Sequence, residues 1–324
     1  MSIIHVKNLS KTFESYKKEP GLIGSIKGLF SSETIYSQAV KDISFDIAEG
    51  EFIGFVGPNG AGKTTTLKML SGILYPTSGD VEVLGFKPFK RAPEFQKQFG
   101  LVMGQKNQLW WDLPARESFI LNKAIYEVSD HDYKKTLDEL TDILDVEDFL
   151  DIQVRKLSLG QRMKCELIAA LLHSPRILFL DEPTIGLDVV SQRNIREFLS
   201  EYNRSRKTTI ILTSHYMEDI RRLCKRVIII DHGSIIYDGD YKNLTEKYAG
   251  DKTIHVSFSD AVLENDLKSL GRTTMANSTS AKINVPRKDI AAITNRLLIG
   301  FPVDDISISE ESIEKIISDI FEGK

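Results

Sequence analysis

Four short apolar runs, Phe52–Val56, Ile177–Leu180, Thr208–Thr213 and Val227–Ile230, each end at Gly, Asp, Ser or His and are separated by long stretches of helical periodicity. Strands without polar alternation are covered on both faces, so the pattern predicts a buried parallel sheet flanked by helices. The segments around Ile3–Val6, Ile43–Ile47 and Val81–Val83 are shorter and alternate. They predict half-exposed antiparallel strands, which would form a side sheet. Between Leu113 and Leu150 the spacing turns helical, with an acidic start at Asp130 and Leu137, Leu140 and Leu144 spaced along one face. This predicts a helical subdomain within about residues 106–170. From about Lys252 strands (Thr253–Phe258, Ala281–Val285, Val303–Ile308) alternate with helices near Asp289–Leu298 and Glu311–Phe321. The expected organisation is therefore a first domain over 1–240 and a separate small α/β domain over 252–324. Residues 15–38 interrupt two expected strands. Leu22, Ile23, Ile26, Leu29 and Phe30 fall there at roughly helical spacing, although glycines weaken such a helix.

Composition narrows the class. The 324 residues exceed what one hydrophobic core usually holds, which agrees with two domains. With 41% hydrophobic and 27% charged residues the chain is ordinary globular protein, neither disordered nor fibrous. A formal charge of −4 leaves no global basic field, so nucleic acid is not an expected partner. Cys165 and Cys224 lie far apart without metal-ligand spacing and read as buried thiols in a reducing compartment. Met1-Ser2-Ile3-Ile4-His5 lacks the features of a signal peptide, and no apolar run approaches the ~18 residues of a spanning helix. Any membrane role then requires a partner subunit.

The chemistry concentrates in two motifs. Gly57-Pro58-Asn59-Gly60-Ala61-Gly62-Lys63-Thr64, followed by Thr65, follows a buried strand and opens a helix, as a phosphate-binding loop must. Its glycines let successive N–H groups face phosphates at a positive helix N-terminus. Lys63 reaches the outer phosphates, and the Thr64 hydroxyl is a magnesium ligand. Ile177-Leu178-Phe179-Leu180-Asp181-Glu182-Pro183 delivers two carboxylates at the C-terminal end of a strand, where open α/β sheets bind ligands. Asp181 is expected to hold magnesium through its water shell, and Glu182 to orient and polarise the attacking water.

Leu157-Ser158-Leu159-Gly160-Gln161, running into a helix over Arg162–Leu172, is by itself only a well-capped helix start, with Ser158 and Gln161 at capping-box spacing. Placed between the phosphate loop and the Asp181-Glu182 strand, it resembles the signature motif of ABC ATPases. The resemblance covers roughly residues 1–240 and implies a P-loop NTPase fold: a RecA-like core sheet with an antiparallel side sheet and a helical subdomain. It implies ATP and Mg2+ as ligands, and a head-to-tail dimer with a second copy of the chain or a homologous ATPase subunit, in which Ser158, Gly160 and Gln161 of one ATPase domain meet the γ-phosphate held by the other. The family usually has Gly where Leu159 stands, which bears on local packing or partner contact. Gln105 resembles the glutamine that links the metal site to the helical subdomain. Asp188, in Ile185-Gly186-Leu187-Asp188, looks like part of the loop that contacts the opposite monomer. His215 looks like the switch histidine that senses γ-phosphate, although a lone His at a strand end is more often structural. Either Phe13 or Tyr36 could supply the adenine-stacking ring, with Phe13 preferred for its place at the end of the first strand.

Trp110 and Trp111, the only tryptophans, stand side by side after Gln105. Adjacent side chains rarely share one buried face, so at least one is expected to be exposed. In related transporters the cleft after this glutamine receives a helix of the membrane subunit. Trp110, Trp111 and Leu113 are thus a socket for that subunit or, alternatively, a lid over the helical subdomain. The 15–38 insert has two readings as well: an amphipathic helix on the bilayer or membrane subunit, and a loop packed on the side sheet. Together with the appended C-terminal piece, the chain resembles ATPase subunits of the type-2 ABC exporter class, peripheral on the cytoplasmic face of the membrane. The competing reading is a soluble mechanochemical ABC ATPase. Members of that kind carry paired ATPase domains, coiled coils or zinc cysteines that do not appear here.

Overall fold

A computed structural model describes residues 1–16, 34–104, 106–214, 216–248 and 251–310. The chain divides into two compact units, Met1–Gly239 and Asp240–Lys324. In the first, strands β1 (Ser2–Tyr16), β2 (Thr34–Ala48) and β4 (Ser78–Val83) form an antiparallel sheet in the order β2-β1-β4. A six-stranded sheet combines β3 (Phe52–Val56), β5 (Phe99–Met103), β6 (Ile177–Asp181), β7 (Thr209–Thr213), β8 (Arg226–Asp231) and β9 (Ser234–Asp240) in the order β5-β6-β7-β3-β8-β9. Every residue of β3, β6 and β7 is buried, as expected of unalternating apolar runs in a two-sided parallel sheet. The two edge strands were not among the runs read from the pattern. β5 is only alternately buried, and β9 alternates between partly buried and exposed positions. β9 follows β8 through the two-residue turn His232-Gly233, with φ of 43° and 84°, a connection short enough only for antiparallel neighbours.

Helix α1 (Lys63–Leu70) touches β2, β4 and β6 and so lies between the two sheets. Leu67 and Met69 of α1 join Ile4, Ile43, Ile47, Val81, Phe55 and Phe179 in one buried cluster. Each such side chain contributes about 1.5–3 kcal/mol through the apolar area it removes from water. That cluster holds the start of α1 in place against the strand ends.

The ends of the expected 15–38 insert are regular strand. β1 and β2 stay paired through Ser15↔Ile35 and Tyr16↔Thr34. Cross-strand pairing supplies there the hydrogen bonds that hydrophobic spacing does not announce. Residues 17–33, including the Leu22–Phe30 stretch, lie outside the described residues.

The helical segment contains α2 (Ala115–Ile125), α3 (Asp130–Leu144) and α4 (Leu159–Leu171). Ser129 caps α3 by accepting from the Asp132 amide at 3.1 Å. α4 starts at Leu159, directly after the N-cap Ser158 of the Ser158–Gln161 capping box that the spacing predicts, three residues before the Arg162–Leu172 stretch. Helices α5 (Val189–Arg206) and α6 (Met217–Leu223) complete the unit. Cys165 and Cys224 are both buried; burial pushes the Cys165 thiol up to about 12 and the Cys224 thiol well above its usual value.

The second unit is a four-stranded antiparallel sheet, β10 (Asp251–Phe258), β11 (Arg272–Asn277), β12 (Ser280–Pro286) and β13 (Val303–Glu310), ordered β11-β12-β10-β13. Ile254, Val256, Phe258, Ile283 and Val285 share a core with Leu297 of the helix Ile290–Gly300. The edge strand β11 is an addition to the expected elements, and the expected Glu311–Phe321 helix lies outside the described residues. No helix among the described residues is long and apolar enough to cross a membrane.

Candidate active site

Three parallel strands bring the chemistry to one edge. β7 lies between β6 and β3, and the register sets Asp181 beside Thr213 and Thr213 beside Phe55. The loop Gly57–Gly62 therefore leaves its strand next to the two carboxylates, at the carboxyl edge where such sheets bind ligands. Glycine is required at two points of that loop. A Cβ on Gly57 would sit 2.1 Å from the Ile230 carbonyl oxygen, and one on Gly62, at φ 110°, 2.5 Å from the Ala39 carbonyl oxygen. Pro58 accepts from the Ala61 amide at 3.1 Å, while Asn59 and Gly60 stand exposed at the turn.

Lys63 is 5% exposed, and its Nζ donates to the carbonyl oxygens of Gly57 at 2.7 Å and Pro58 at 3.0 Å. Burial pushes its pKa down, opposed by the nearby Glu182 and Asp181 carboxylates. Thr64 Oγ1 lies 3.0 and 2.8 Å from the two Asp181 oxygens, and Thr213 Oγ1 donates to Asp181 Oδ1 at 2.7 Å. A hydroxyl and a carboxylate at this separation are hard oxygen donors of the kind that suit magnesium. Thr65 is half-buried on the same helix turn. A cavity of about 160 Å³ is lined by Thr64, Lys68, Met103, Lys106, Asp181 and Glu182. Lys68 and Lys106 were not among the expected residues. Lys68 was legible, since it stands four positions after Thr64 on a helix and so shares its face.

Glu182 has φ 56°, a left-handed conformation that costs a non-glycine residue about 1–3 kcal/mol and persists only where the surroundings impose it. Its amide donates to the Thr213 carbonyl at 3.0 Å and approaches Thr213 Oγ1 at 3.1 Å. A Cβ on Gly104 would lie 2.1 Å from the Glu182 carbonyl oxygen, so that turn is closed from the other side too. Gln105 and His215, expected to complete the site, lie outside the described residues.

At the signature segment, Ser158 Oγ accepts from the Gln161 amide at 3.2 Å and Gln161 Oε1 from the Ser158 amide at 2.9 Å. Ser158 is exposed and Gly160 buried. A Cβ on Gly160 would meet Ser191 Oγ at 2.5 Å, so α4 and the start of α5 approach closely there. Leu159 lies over Gly186: a Cβ on Gly186 would be 3.0 Å from Leu159 Cδ2. Asp188 caps α5, accepting from the amides of Val190 and Ser191 at 3.0 and 2.9 Å and from the Ser191 hydroxyl at 2.6 Å. These Ser191 bonds hold its carboxyl below the usual range.

The pairs Phe13↔Ser37 and Glu14↔Tyr36 are consecutive rungs, so Phe13 and Tyr36 point to opposite faces of the ribbon and only one of them can face a given ligand. Trp110 and Trp111 are 56% and 45% exposed, and Leu113 is half-buried. Their segment is pinned from beneath. Glu166 of α4, buried and with its pKa pushed up by that burial, accepts from the amide of Gln108 at 2.9 Å, and Ser118 Oγ accepts from that of Trp110 at 3.1 Å. The Arg162 guanidinium lies 5.4 Å from the Trp111 ring centre.

Comparison with known proteins places this architecture. The family described as ABC transporter matches residues 40–185, and that described as EvrA-like ABC transporter, C-terminal domain, matches residues 250–309. The chain is 35% identical over 225 residues, 69% of its length and 91% of the relative's, to the ABC transporter ATP-binding protein NatA of Bacillus subtilis (strain 168). It is 32% identical over 210 residues, 65% of its length and 67% of the relative's, to the bacitracin transport ATP-binding protein BcrA of Bacillus licheniformis. A solved dimeric bacterial ABC transporter cassette aligns with a TM-score of 0.61 and 25% identity, over 73% of this chain and 98% of that one. An ATP-binding subunit of an ABC transporter aligns at 0.62, with 23% identity over 76% and 93% of the two chains. The chain belongs to the ABC transporter family, as one of its ATP-binding, ATP-hydrolysing subunits.

Proposed function

We propose that two copies of this chain close head to tail on ATP and drive a membrane-embedded partner, in the direction of export. Lys63 and the amides of the Gly57–Thr65 loop bind the triphosphate, and Thr64 with Asp181 holds magnesium, which would neutralise charge on the transferring phosphoryl group. Glu182 orients and polarises the attacking water. Gln105 and His215 enter this scheme on their places in the sequence. Phe13 is the proposed adenine-stacking ring. Ser158, Gly160 and Gln161 serve the phosphate held by the opposite copy, with Asp188 at the same interface. The observation that carries the reading is the contact of Thr64 with Asp181 at the strand edge beside buried Lys63. The exporter assignment draws on relatives such as the bacitracin transport protein and Nod factor export ATP-binding protein I of Rhizobium sp. (strain N33).

The dimer is tested at Ser158. Its exposed hydroxyl sits at a positive helix start, so Ser158→Glu sets a negative charge where a phosphate must approach. Loss of one such donor lowers turnover by roughly 100-fold, and the added repulsion acts in the same direction. Phosphate release should fall by at least that factor, and sedimentation should show no ATP-dependent dimer. Unchanged hydrolysis would remove the signature helix from the site.

Trp110, Trp111 and Leu113 are the proposed docking ledge for the membrane subunit, which places the chain peripherally on the cytoplasmic face. Exposed tryptophans over backbone pinned by Glu166 and Ser118 suit an anchor, because little order remains to be lost on binding. Trp111→Ala should weaken retention by the membrane subunit by about 30-fold or more, as interface anchors do. Wild-type recovery of the complex from native membranes would return both rings to the role of a lid.

A further inference from the structure

We infer that Asp219 is a positioning residue for ATP hydrolysis, tying the turn after Glu182 to the end of β7 and to helix α5; the inference rests on the reading of Glu182 given above. Asp219 is fully buried on α6. Its Oδ2 accepts from the Thr184 hydroxyl at 2.5 Å and from the Ser214 hydroxyl at 2.6 Å, and its Oδ1 accepts from Arg196 Nη1 at 2.8 Å. Thr184, Ser214 and Arg196 are themselves 2%, 2% and 7% exposed. None of these four residues lines the Thr64–Glu182 cavity.

Their places in the chain give the cluster its meaning. Thr184 stands two residues after Glu182, whose backbone is in the left-handed conformation. Ser214 directly follows Thr213, which donates to Asp181, and its Oγ accepts from the Tyr216 amide at 3.0 Å across the position of His215. Arg196 lies two turns into α5, the helix capped by Asp188. One carboxylate thus fixes both segments that leave the strand edge with hydrolytic residues, and refers them to the helix whose start faces the proposed dimer partner. Hydrogen bonds to an ionised acceptor are short, directional and about twice as strong as neutral ones, which suits a tie that holds strained geometry. A purely apolar plug would fill the same space without setting the direction of either turn.

The test uses Thr184→Val, which keeps shape and deletes the hydroxyl, and Ser214→Ala, assayed in the full-length chain under conditions where ATP hydrolysis is measured. A misplacement of the reacting geometry without loss of nucleotide contacts lowers kcat by about ten- to a hundredfold. Each variant should show that fall with KM for ATP within twofold of wild type, and Thr184→Ser should restore kcat. A Thr184→Val or Ser214→Ala variant that melts like wild type and turns over at the wild-type rate overturns the inference. So does failure of Thr184→Ser to restore activity. If Thr184→Val does not fold, Ser214→Ala decides by the same two readouts. Glu182→Gln run in parallel separates the two levels: inactivity there beside wild-type Thr184→Val defeats only the role of Asp219, whereas normal turnover in Glu182→Gln defeats the reading on which it rests.

Discussion

Glu182→Gln is expected to lower ATP hydrolysis by about two to four orders of magnitude, the usual contribution of a positioned general base, while ATP binding persists. The substitution keeps shape and the backbone bonds to Thr213, so the strained turn at φ 56° stays where it is. What is lost is the ability to accept a proton from water. Lys63, with its bonds to the loop, and the Thr64–Asp181 pair are untouched, so affinity for the nucleotide should not fall. It should rise, because removing one negative charge near the triphosphate reduces repulsion. The checks are phosphate release at saturating ATP, equilibrium nucleotide binding, and sedimentation with ATP present. The variant should sediment as a persistent dimer, since hydrolysis would no longer open it. Turnover near the wild-type rate would assign the base elsewhere.

The parts of this molecule legible in the sequence are those in which one physical demand acts on a contiguous stretch. Burial on both faces makes β3, β6 and β7 continuous apolar runs, and phosphate chemistry at a helix start demands glycine at 57 and 62 with Lys63 behind them. The edge strands β5 and β9 obey no such single demand, being half exposed, and their pattern predicts no strand. The ribbon at Ser15–Tyr16 and Thr34–Gln38 falls inside the stretch expected to interrupt the two strands, because pairing across 17 intervening positions leaves no periodic trace in either strand. Distance along the chain also hid Glu166 and Asp219. A buried carboxylate in an amphipathic helix looks like any other charged residue until the amides of Gln108 and Leu109, or the hydroxyls of Thr184 and Ser214, are seen around it.

Leu159 shows how a departure from a family pattern becomes intelligible through a contact. The side chain that replaces the usual Gly rests on Gly186, whose φ of 73° and lack of a Cβ leave room for it. Gly186 belongs to the loop ending at Asp188, and Gly160, one position after Leu159, lies against Ser191, which Asp188 holds. The signature helix and the loop expected to face the other copy are therefore interlocked within one chain. Movement of either in an ATP-bound dimer must be accommodated by the other, because packed side chains of this kind have few intermediate arrangements.

The second large effect is on stability. Arg196→Met leaves the Asp219 carboxylate with two hydroxyl donors and no countercharge at a position with no solvent exposure, and Asp219→Asn leaves the guanidinium in the converse state. Removing one member of a buried pair costs about 3–5 kcal/mol, because the remaining charge is neither solvated nor matched. For a unit of this size that corresponds to a fall in Tm of roughly 6–20 °C. The double variant Arg196→Met, Asp219→Asn should lose less than the two single changes added together, by about 2 kcal/mol or more, since it buries no lone charge. It should not recover fully, because a neutral amide oxygen accepts more weakly than the ionised Oδ2 from the Thr184 and Ser214 hydroxyls, and the buried amide NH2 would face an apolar side chain where Arg196 now donates to Oδ1. Urea unfolding of the four proteins measures the coupling directly, provided the slopes agree. Strict additivity would mean that Arg196 and Asp219 act independently in the folded chain. Recovery to wild-type stability without recovery of turnover would separate the two duties of the cluster, the charge pair holding the fold and the hydroxyl bonds holding the geometry around Glu182.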